Sequence, residues 1–334
     1  MSNSILYLSR ADLVGLGFEM PEVIEIVRSA ILEQHKQAVI MPSKASLQWK
    51  DGGRLNGNAA FISDPPSLGI KWNAEVPANV GNGLPNLTAL VLLNDPVTGF
   101  PTAILDGTWI TAMRTGAASA ITASHLAPSR VAKLCLIGCG VQMRTQVLGL
   151  LSTIEPRDIC IYDIKPEASA AFAAQMSERT GKQITVCKSA EEAVRDADVV
   201  VSATKFQIIP DPSLKGEWLK PGALLMPIDV ATVWEAAAFL SADKFVTDRW
   251  SILQSVADAG HFTDGMPPLY AELHEIVAGS KKGRENDEEF IVSMNEGMPI
   301  EDMALGQLAV DRALAAGRGT LLPFIDNVED LYRF

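Results

Sequence analysis

The clearest limits on this chain come from what it lacks. In its 334 residues no apolar run reaches the roughly 18 residues of a membrane span. The opening Met1-Ser2-Asn3-Ser4-Ile5-Leu6 shows no signal-peptide core. Basic charge is scarce: 28 Lys and Arg stand against 40 Asp and Glu, for a net charge of −12. A nucleic acid or an anionic membrane would want a basic patch, so neither is an expected partner. The four cysteines (Cys135, Cys139, Cys160, Cys187) fall on or beside expected strands and make no zinc knuckle. The four histidines (His35, His125, His261, His274) form no metal motif either. No metal is therefore expected, and the thiols read as buried and reduced in a cytoplasmic protein. Low-complexity tracts and internal repeats are also missing.

What is present is a large apolar fraction, 48% against 20% charged residues, which supports a sizeable core. The length suggests two domains. The organising stretch is Val131 to Asp163. An apolar run, Val131–Ile137, meets the glycine turn Gly138-Cys139-Gly140. A helical pattern follows from Gln142 to about Ile154, and a second apolar run, Ile159–Tyr162, ends in Asp163. Dinucleotide binding needs this order. Glycines let the backbone approach a pyrophosphate at a helix N-terminus, and an acid at the end of the second strand accepts the ribose hydroxyls. The third glycine position of the fingerprint holds Met143 instead. The alternative is a plain strand–helix–strand unit with a tight turn.

Strands and helices keep alternating beyond this point. Helices are expected over Pro166–Thr180 and Ala190–Arg195, and strands over Gln183–Cys187, Val199–Thr204, Ala223–Ile228 and Phe245–Val246. The pattern predicts a Rossmann-type, doubly wound parallel sheet, with ligand chemistry at the carboxyl ends of its strands. Asp163, Thr204 and Asp229 stand at such ends. The first part of the chain reads differently. After a helix from Met20 to about Gln37 come candidate antiparallel strands Arg54–Ile62, Gly69–Val76, Leu87–Asn94 and Phe100–Leu105, then a helix from Thr108 to about Ala127. A tail helix, Ile300–Gly317, is expected to pack back on this α+β domain.

Three cations interrupt apolar or strand contexts: Lys44, Lys71 and Arg114. Buried cations are costly unless paired. A substrate carboxylate would pair them, as would internal salt bridges, and a surface location would remove the problem. Asp229 could exchange a proton with a substrate nitrogen or serve as a structural cap. Lys50 and Arg54, near Lys44, would favour a second substrate carboxylate.

The motifs Gly69-Ile70-Lys71, Gly83-Leu84-Pro85, Leu92–Pro101, Leu105-Asp106-Gly107, Thr111–Ser119, Gly138–Gln142 and Gly297–Asp302 together resemble the ornithine cyclodeaminase/mu-crystallin family over nearly the whole chain. The resemblance implies a homodimer. Residues 1–127 with 303–334 would form the substrate-binding and dimerisation domain, and 128–302 the NAD-binding domain. It implies carboxylate-binding roles for Lys71 and Arg114, with Lys44 in place of the usual arginine. Asp229, with Lys71, would be catalytic. Cofactor contacts would come from Asn86, Thr115, Gly138, Gly140, Val141, Gln142, Asp163, Thr204 and Gly297.

Asn58 stands where ornithine cyclodeaminases carry a glutamate that handles the attacking water. An amide cannot act as that base. The expected activity is therefore NAD(H)-dependent reduction of a 2-imino acid, or the reverse oxidation of an amino acid. The alternatives are a cyclodeaminase that recycles NAD internally and a non-enzymatic nucleotide- or ligand-binding protein. Asp163 implies NADH in preference to NADPH, because the same carboxylate would repel a 2′-phosphate.

Overall fold

The structure is a computed structural model that describes residues 4–49, 52–79, 82–205, 210–262 and 264–325. Lys50 lies outside the described residues. The chain divides into two compact units, Met1–Arg114 with Pro299–Phe334, and Thr115–Met298. These limits fall inside the long helix Gly107–Leu126 and at the start of the tail helix, rather than at 127/128 and 302/303. A helix is a continuous hydrogen-bonded rod, so one element can serve two units where a loop boundary was expected.

The first unit is built on a mixed eight-stranded sheet. Its strands are β1 (Ser4–Leu8), β2 (Val39–Ile40), β3 (Ala45–Gln48), β4 (Arg54–Ile62), β5 (Ser67–Glu75), β6 (Leu87–Asn94), β7 (Pro101–Asp106) and, from the tail, β16 (Thr320–Pro323). The order is β16-β1-β7-β6-β5-β4-β2, with β3 also paired to β4. The expected antiparallel run β4–β7 is present. β1 joins it in parallel, and the sheet closes on β16. The helices α1 (Arg10–Gly15) and α2 (Met20–His35) follow β1, and α1 begins with a reciprocal cap between Ser9 and Asp12.

One face of this sheet carries the tail helix α10 (Pro299–Ala315), which also packs on α2. Strand alternation puts Ala60, Ile62, Gly69, Val91, Leu93, Ala103 and Leu105 on the buried side. Gly69 is required there, since a Cβ would lie 2.1 Å from the carbonyl oxygen of Leu92 and 2.9 Å from the sulfur of Met303 on α10.

The second unit holds a sheet in which every pairing is parallel. Its strands are β8 (Lys133–Ile137), β9 (Asp158–Tyr162), β10 (Ile184–Val186), β11 (Val199–Ser202), β12 (Leu224–Pro227), β13 (Lys244–Thr247), β14 (Ala271–Glu272) and β15 (Ile291–Ser293). They are ordered β10-β9-β8-β11-β12-β15-β13-β14. Buried on both sides, β11 and β12 are almost wholly apolar, as parallel strands covered by helices must be. The helices α4 (Val141–Leu150), α5 (Pro166–Thr180) and α6 (Ala190–Val194) follow successive strands, and α7 (Ala237–Leu240), α8 (Trp250–Asp258) and α9 (Leu273–Val277) come later in the unit. The long helix α3 (Gly107–Leu126) brings its small-residue face to α4, where a Cβ on Gly149 would meet the carbonyl of Gly116 at 2.2 Å and the Cβ of Ala120 at 3.5 Å. From β8 the order runs one way to β9 and the other to β11, so the switch point of this sheet lies between β8 and β11.

Candidate active site

At the switch point the chain leaves β8 through Gly138, whose φ is +95°. A Cβ there would lie 2.7 Å from the carbonyl oxygen of Ala203, so only glycine lets the two strand ends come together. Gly140 is the N-cap of α4 and has no side-chain cap, and a Cβ on it would meet nothing within 4 Å. The start of α4 therefore presents backbone N–H groups to open space, as an anion-binding helix terminus does. Val141 in this turn is exposed. Gln142 bonds to Thr145, and the buried hydroxyl of Thr115 on α3 has no hydrogen-bond partner among the described residues. Met143, in the fingerprint's third glycine position, is fully buried, so the larger side chain is absorbed into the core.

Asp163 follows β9 and is tied directly to the turn. Its Oδ2 accepts the N–H of Cys139 at 2.9 Å, and its Oδ1 accepts that of Lys165 at 3.0 Å. Lys165 itself is the exposed N-cap of α5. Arg144, not singled out from the sequence, steadies the same turn by donating to the carbonyls of Cys139 (2.7 Å) and Gly140 (2.9 Å). The turn, the free helix start and the acid at the second strand end together fit a dinucleotide. Gly297, at the end of this unit, donates its N–H to the buried carboxylate of Asp248. All four cysteines are buried free thiols.

Asp229 comes just after β12 and is 3% exposed. Its partners are neutral. Oδ1 accepts the Ser202 hydroxyl at 2.8 Å, and Oδ2 accepts the Thr204 hydroxyl at 2.7 Å and its N–H at 3.0 Å. Among the described residues it makes no ion pair. Burial pushes its carboxyl above the usual carboxylate range, against these hydrogen bonds, which pull it down. The next residue, Val230, has φ +59°, a left-handed conformation that is costly for a β-branched side chain. Strain of this kind gathers at functional sites. Thr204, expected as a cofactor contact, spends both donors on Asp229.

In the first unit the structure brings Lys71 and Arg114 together, though not alone. Lys71 Nζ lies 2.6 Å from Asp302 Oδ2, while Arg114 reaches Asp302 Oδ1 through Nε (3.1 Å) and Glu301 Oε2 through Nη1 (3.0 Å). All four side chains are buried. The two cations on β5 and α3 thus meet two carboxylates from the first turn of α10, and Asp302 bridges both. Internal salt bridges do hold these cations, as one reading of the sequence allowed. Lys71 gives one of its three ammonium donors to Asp302 among the described residues. Burial pushes the Lys71 ammonium down to about 8, with Arg114 adding to the effect and Asp302 and Glu301 opposing it.

The neighbouring candidates divide. Asn58 is the cross-strand partner of Lys71, on the same face of the sheet, and its amide bonds to Asn73 at 3.3 Å. Arg54 is paired with Glu75 across β4 and β5 at 2.5 Å, which corrects the idea that it awaits a second substrate carboxylate. Asn86 donates to the same Glu75 at 3.3 Å. Lys44 sits in the exposed link before β3, and no contact joins it to the Lys71–Arg114 cluster among the described residues.

Glu301, Asp302, Ser202 and Asp248 were not recognised from the sequence as parts of a site. Two acids after a proline read simply as helix-start charges. Ser202 left a faint trace, as the polar end of the run Val199-Val200-Val201.

The fold and these residues define a two-unit α/β protein, with a dinucleotide-type parallel sheet in one unit and a sheet-and-helix unit holding buried charge in the other. The model of the ornithine cyclodeaminase/mu-crystallin family matches residues 7–317, and the chain belongs to that family. Among its relatives is a Delta(1)-pyrroline-2-carboxylate reductase of Bacillus cereus, 30% identical over 91% of this chain and 96% of the relative. The structure of the Thermococcus litoralis Delta(1)-pyrroline-2-carboxylate reductase in complex with NADH and L-proline superposes with a TM-score of 0.85 at 34% identity, covering 95% of this chain and 99% of that one. An archaeal alanine dehydrogenase dimer with bound NAD gives 0.86 at 29% identity, covering 96% and 100%.

Proposed function

We propose that the chain is an NAD(H)-dependent oxidoreductase that reduces the C=N bond of a 2-imino acid to CH–NH, or runs the reverse oxidation of an amino acid. The observation that carries this reading is Asp229, a buried carboxylate at the carboxyl end of a parallel strand, without a cation partner among the described residues. The relatives act on this kind of bond by name, and two of the solved ones hold NADH or NAD. Residues 1–114 with 299–334 take the substrate-binding and dimerisation role, and residues 115–298 the cofactor role.

When bound, the nicotinamide supplies or accepts the hydride. Gly138, Gly140, Val141 and Gln142 form the pyrophosphate turn, with Thr115, Asn86, Thr204 and Gly297 as further cofactor contacts. Asp163 holds the ribose. Arg114 and Lys71 bind the substrate carboxylate, which fixes the adjacent carbon for hydride transfer. Lys44 adds a point charge. Asp229 stabilises the iminium and exchanges the nitrogen's proton, so reduction takes up one hydride and one proton.

Asn58 speaks against a cyclodeaminase, because the side chain beside Lys71 is an amide that cannot take a proton from water. Preference for NADH follows from the Asp163 carboxylate at the ribose. Support for a homodimer comes from the outer face of the first sheet, where Leu47, Ile70, Trp72 and Leu90 are exposed together on the side away from α10. This supports the homodimer that the resemblance to the family implies, and the four buried free thiols fit a cytoplasmic enzyme. The test is NADH consumption with a panel of 2-oxo acids plus ammonia or methylamine, with ornithine and lysine run for ammonia release. Reduction consumes NADH one for one. Ammonia release without net NADH change would replace the proposal with a cyclodeaminase, and tight nucleotide binding without turnover on any substrate would replace it with a carrier. Sedimentation of the wild type and of Trp72→Glu tests the dimer, and a monomeric wild type rejects it.

A further inference from the structure

The loop after Asp229 is pinned to its surroundings. The Thr232 hydroxyl donates to the carbonyl of Asp229 at 2.8 Å. The N–H groups of Ser213 and Leu214 both donate to the carbonyl of Val233, at 2.9 and 2.8 Å. This places the indole of Trp234, 2% exposed, in the core of the second unit. Its Nε1–H donates to the Ser202 hydroxyl oxygen at 3.0 Å. Ser202 is fully buried and donates in turn to Asp229 Oδ1 at 2.8 Å.

The direction of this chain is set by chemistry. An indole nitrogen can only donate. Ser202 must therefore accept from Trp234, and Asp229 Oδ1 is the acceptor for its hydrogen among the described residues. Protonation of Asp229 would turn Oδ1 from a charged into a weaker, neutral acceptor for the Ser202 hydrogen, so this bond favours the ionised form. Thr204 differs, because its hydroxyl can reverse when Oδ2 is protonated, whereas its backbone N–H cannot. The groups bonded to the Asp229 carboxylate are Ser202 and Thr204 from the β11 side, while Thr232 of its own loop bonds its backbone carbonyl. Of the nearest charged residues in sequence, Lys220 is paired with Asp198, and neither it nor Glu235 makes an ion pair with Asp229 among the described residues.

We propose that Trp234, acting through the Ser202 hydroxyl, is a positioning residue that holds Asp229 in its ionised, proton-accepting form. Without this relay, burial alone would leave the carboxyl protonated over more of the working range. The inference about the relay stands on the hydrogen-bond chain. Its bearing on catalysis rests on the proposed role of Asp229.

The test follows the Asp229 carboxyl-carbon NMR resonance through a pH titration of the protein with NAD, assigned by its loss in Asp229→Asn. In the wild type the Trp234 indole N–H resonance, assigned by its loss in Trp234→Phe, should titrate together with Asp229. In Ser202→Ala the indole should stop responding, and the Asp229 midpoint should move to higher pH by about tenfold in proton affinity. Trp234→Phe should move it the same way by about threefold, and Ser202→Thr, which keeps the hydroxyl, should leave it in place.

With a substrate found in the NADH panel, the acid limb of kcat/KM should move with the carboxyl midpoint. An indole indifferent to the Asp229 titration, or midpoints unchanged in both Ser202→Ala and Trp234→Phe, overturns the relay. So does a loss of rate that is equal at every pH, which marks a merely structural residue. If Asp229→Asn stays active, the catalytic reading falls instead, while the titration still decides the relay.

Discussion

The two units bury charge in opposite ways. In the first, charge meets charge, with Lys71 and Arg114 set against Glu301 and Asp302 and the group as a whole balanced. In the second, Asp229 is held by two hydroxyls and an N–H, with no cation among the described residues. A balanced cluster resists loss of any member, because the partner left behind is an uncompensated buried charge. A carboxylate held by neutral donors sits closer to gaining a proton, because those donors offset only part of its desolvation. The first arrangement suits holding a ligand in a fixed place. The second suits moving a proton.

The sharpest way to break this contrast is Asp302→Asn, which removes the carboxylate shared by Lys71 and Arg114. We expect a loss of about 3–5 kcal/mol in urea unfolding, together with loss of substrate binding. A loss below about 1 kcal/mol would class the cluster with ion pairs that contribute little. Asp229→Asn should behave in the reverse manner. It should cut turnover by about a hundredfold or more while NADH affinity stays nearly constant, as steady-state kinetics and nucleotide titration would reveal.

A smaller effect concerns the cofactor. Wild-type kcat/KM should favour NADH over NADPH by about tenfold, roughly 1.4 kcal/mol, and Asp163→Asn should narrow that gap. Equal use of both by the unmodified protein would remove Asp163 from the ribose. The smallest expected effect is that of pH on the first cluster. Lys71 loses its proton at about 8, so KM for the carboxylate substrate should rise severalfold over about one pH unit above that point. The stability contribution runs the other way. The folded lysine releases its proton before the unfolded one, whose usual value is 10.5, so this group adds stability as pH climbs from about 8 towards 10.5. A KM that is flat across this range would show that Lys71 does not hold the substrate.

Much of the scaffold was legible because it is written in local patterns. The β4 and β6 bounds, Arg54–Ile62 and Leu87–Asn94, and the α5 bounds, Pro166–Thr180, match the periodicity read from the chain. The glycine turn and Asp163 were legible for the same reason, since strand, turn, helix and strand follow one another without interruption. The short strands β1, β2, β3, β14, β15 and β16 were not identified. A strand of two to five residues carries too little alternation, and its existence depends on the neighbour that supplies its hydrogen bonds.

The chemistry divides along the same line. By its own composition and order the chain determined an acidic two-unit α/β protein with a dinucleotide-type turn, and it marked Lys71, Arg114 and Asp229 as charges in unusual surroundings. Only the tertiary structure decided what those charges face. Arg114 and its partners Glu301 and Asp302 lie 187 and 188 positions apart in sequence, and Trp234 lies 32 from Ser202. No periodicity links residues at such distances. The energy of a buried charge depends on which groups fill the few ångströms around it, and that is settled when the strands and helices close on one another.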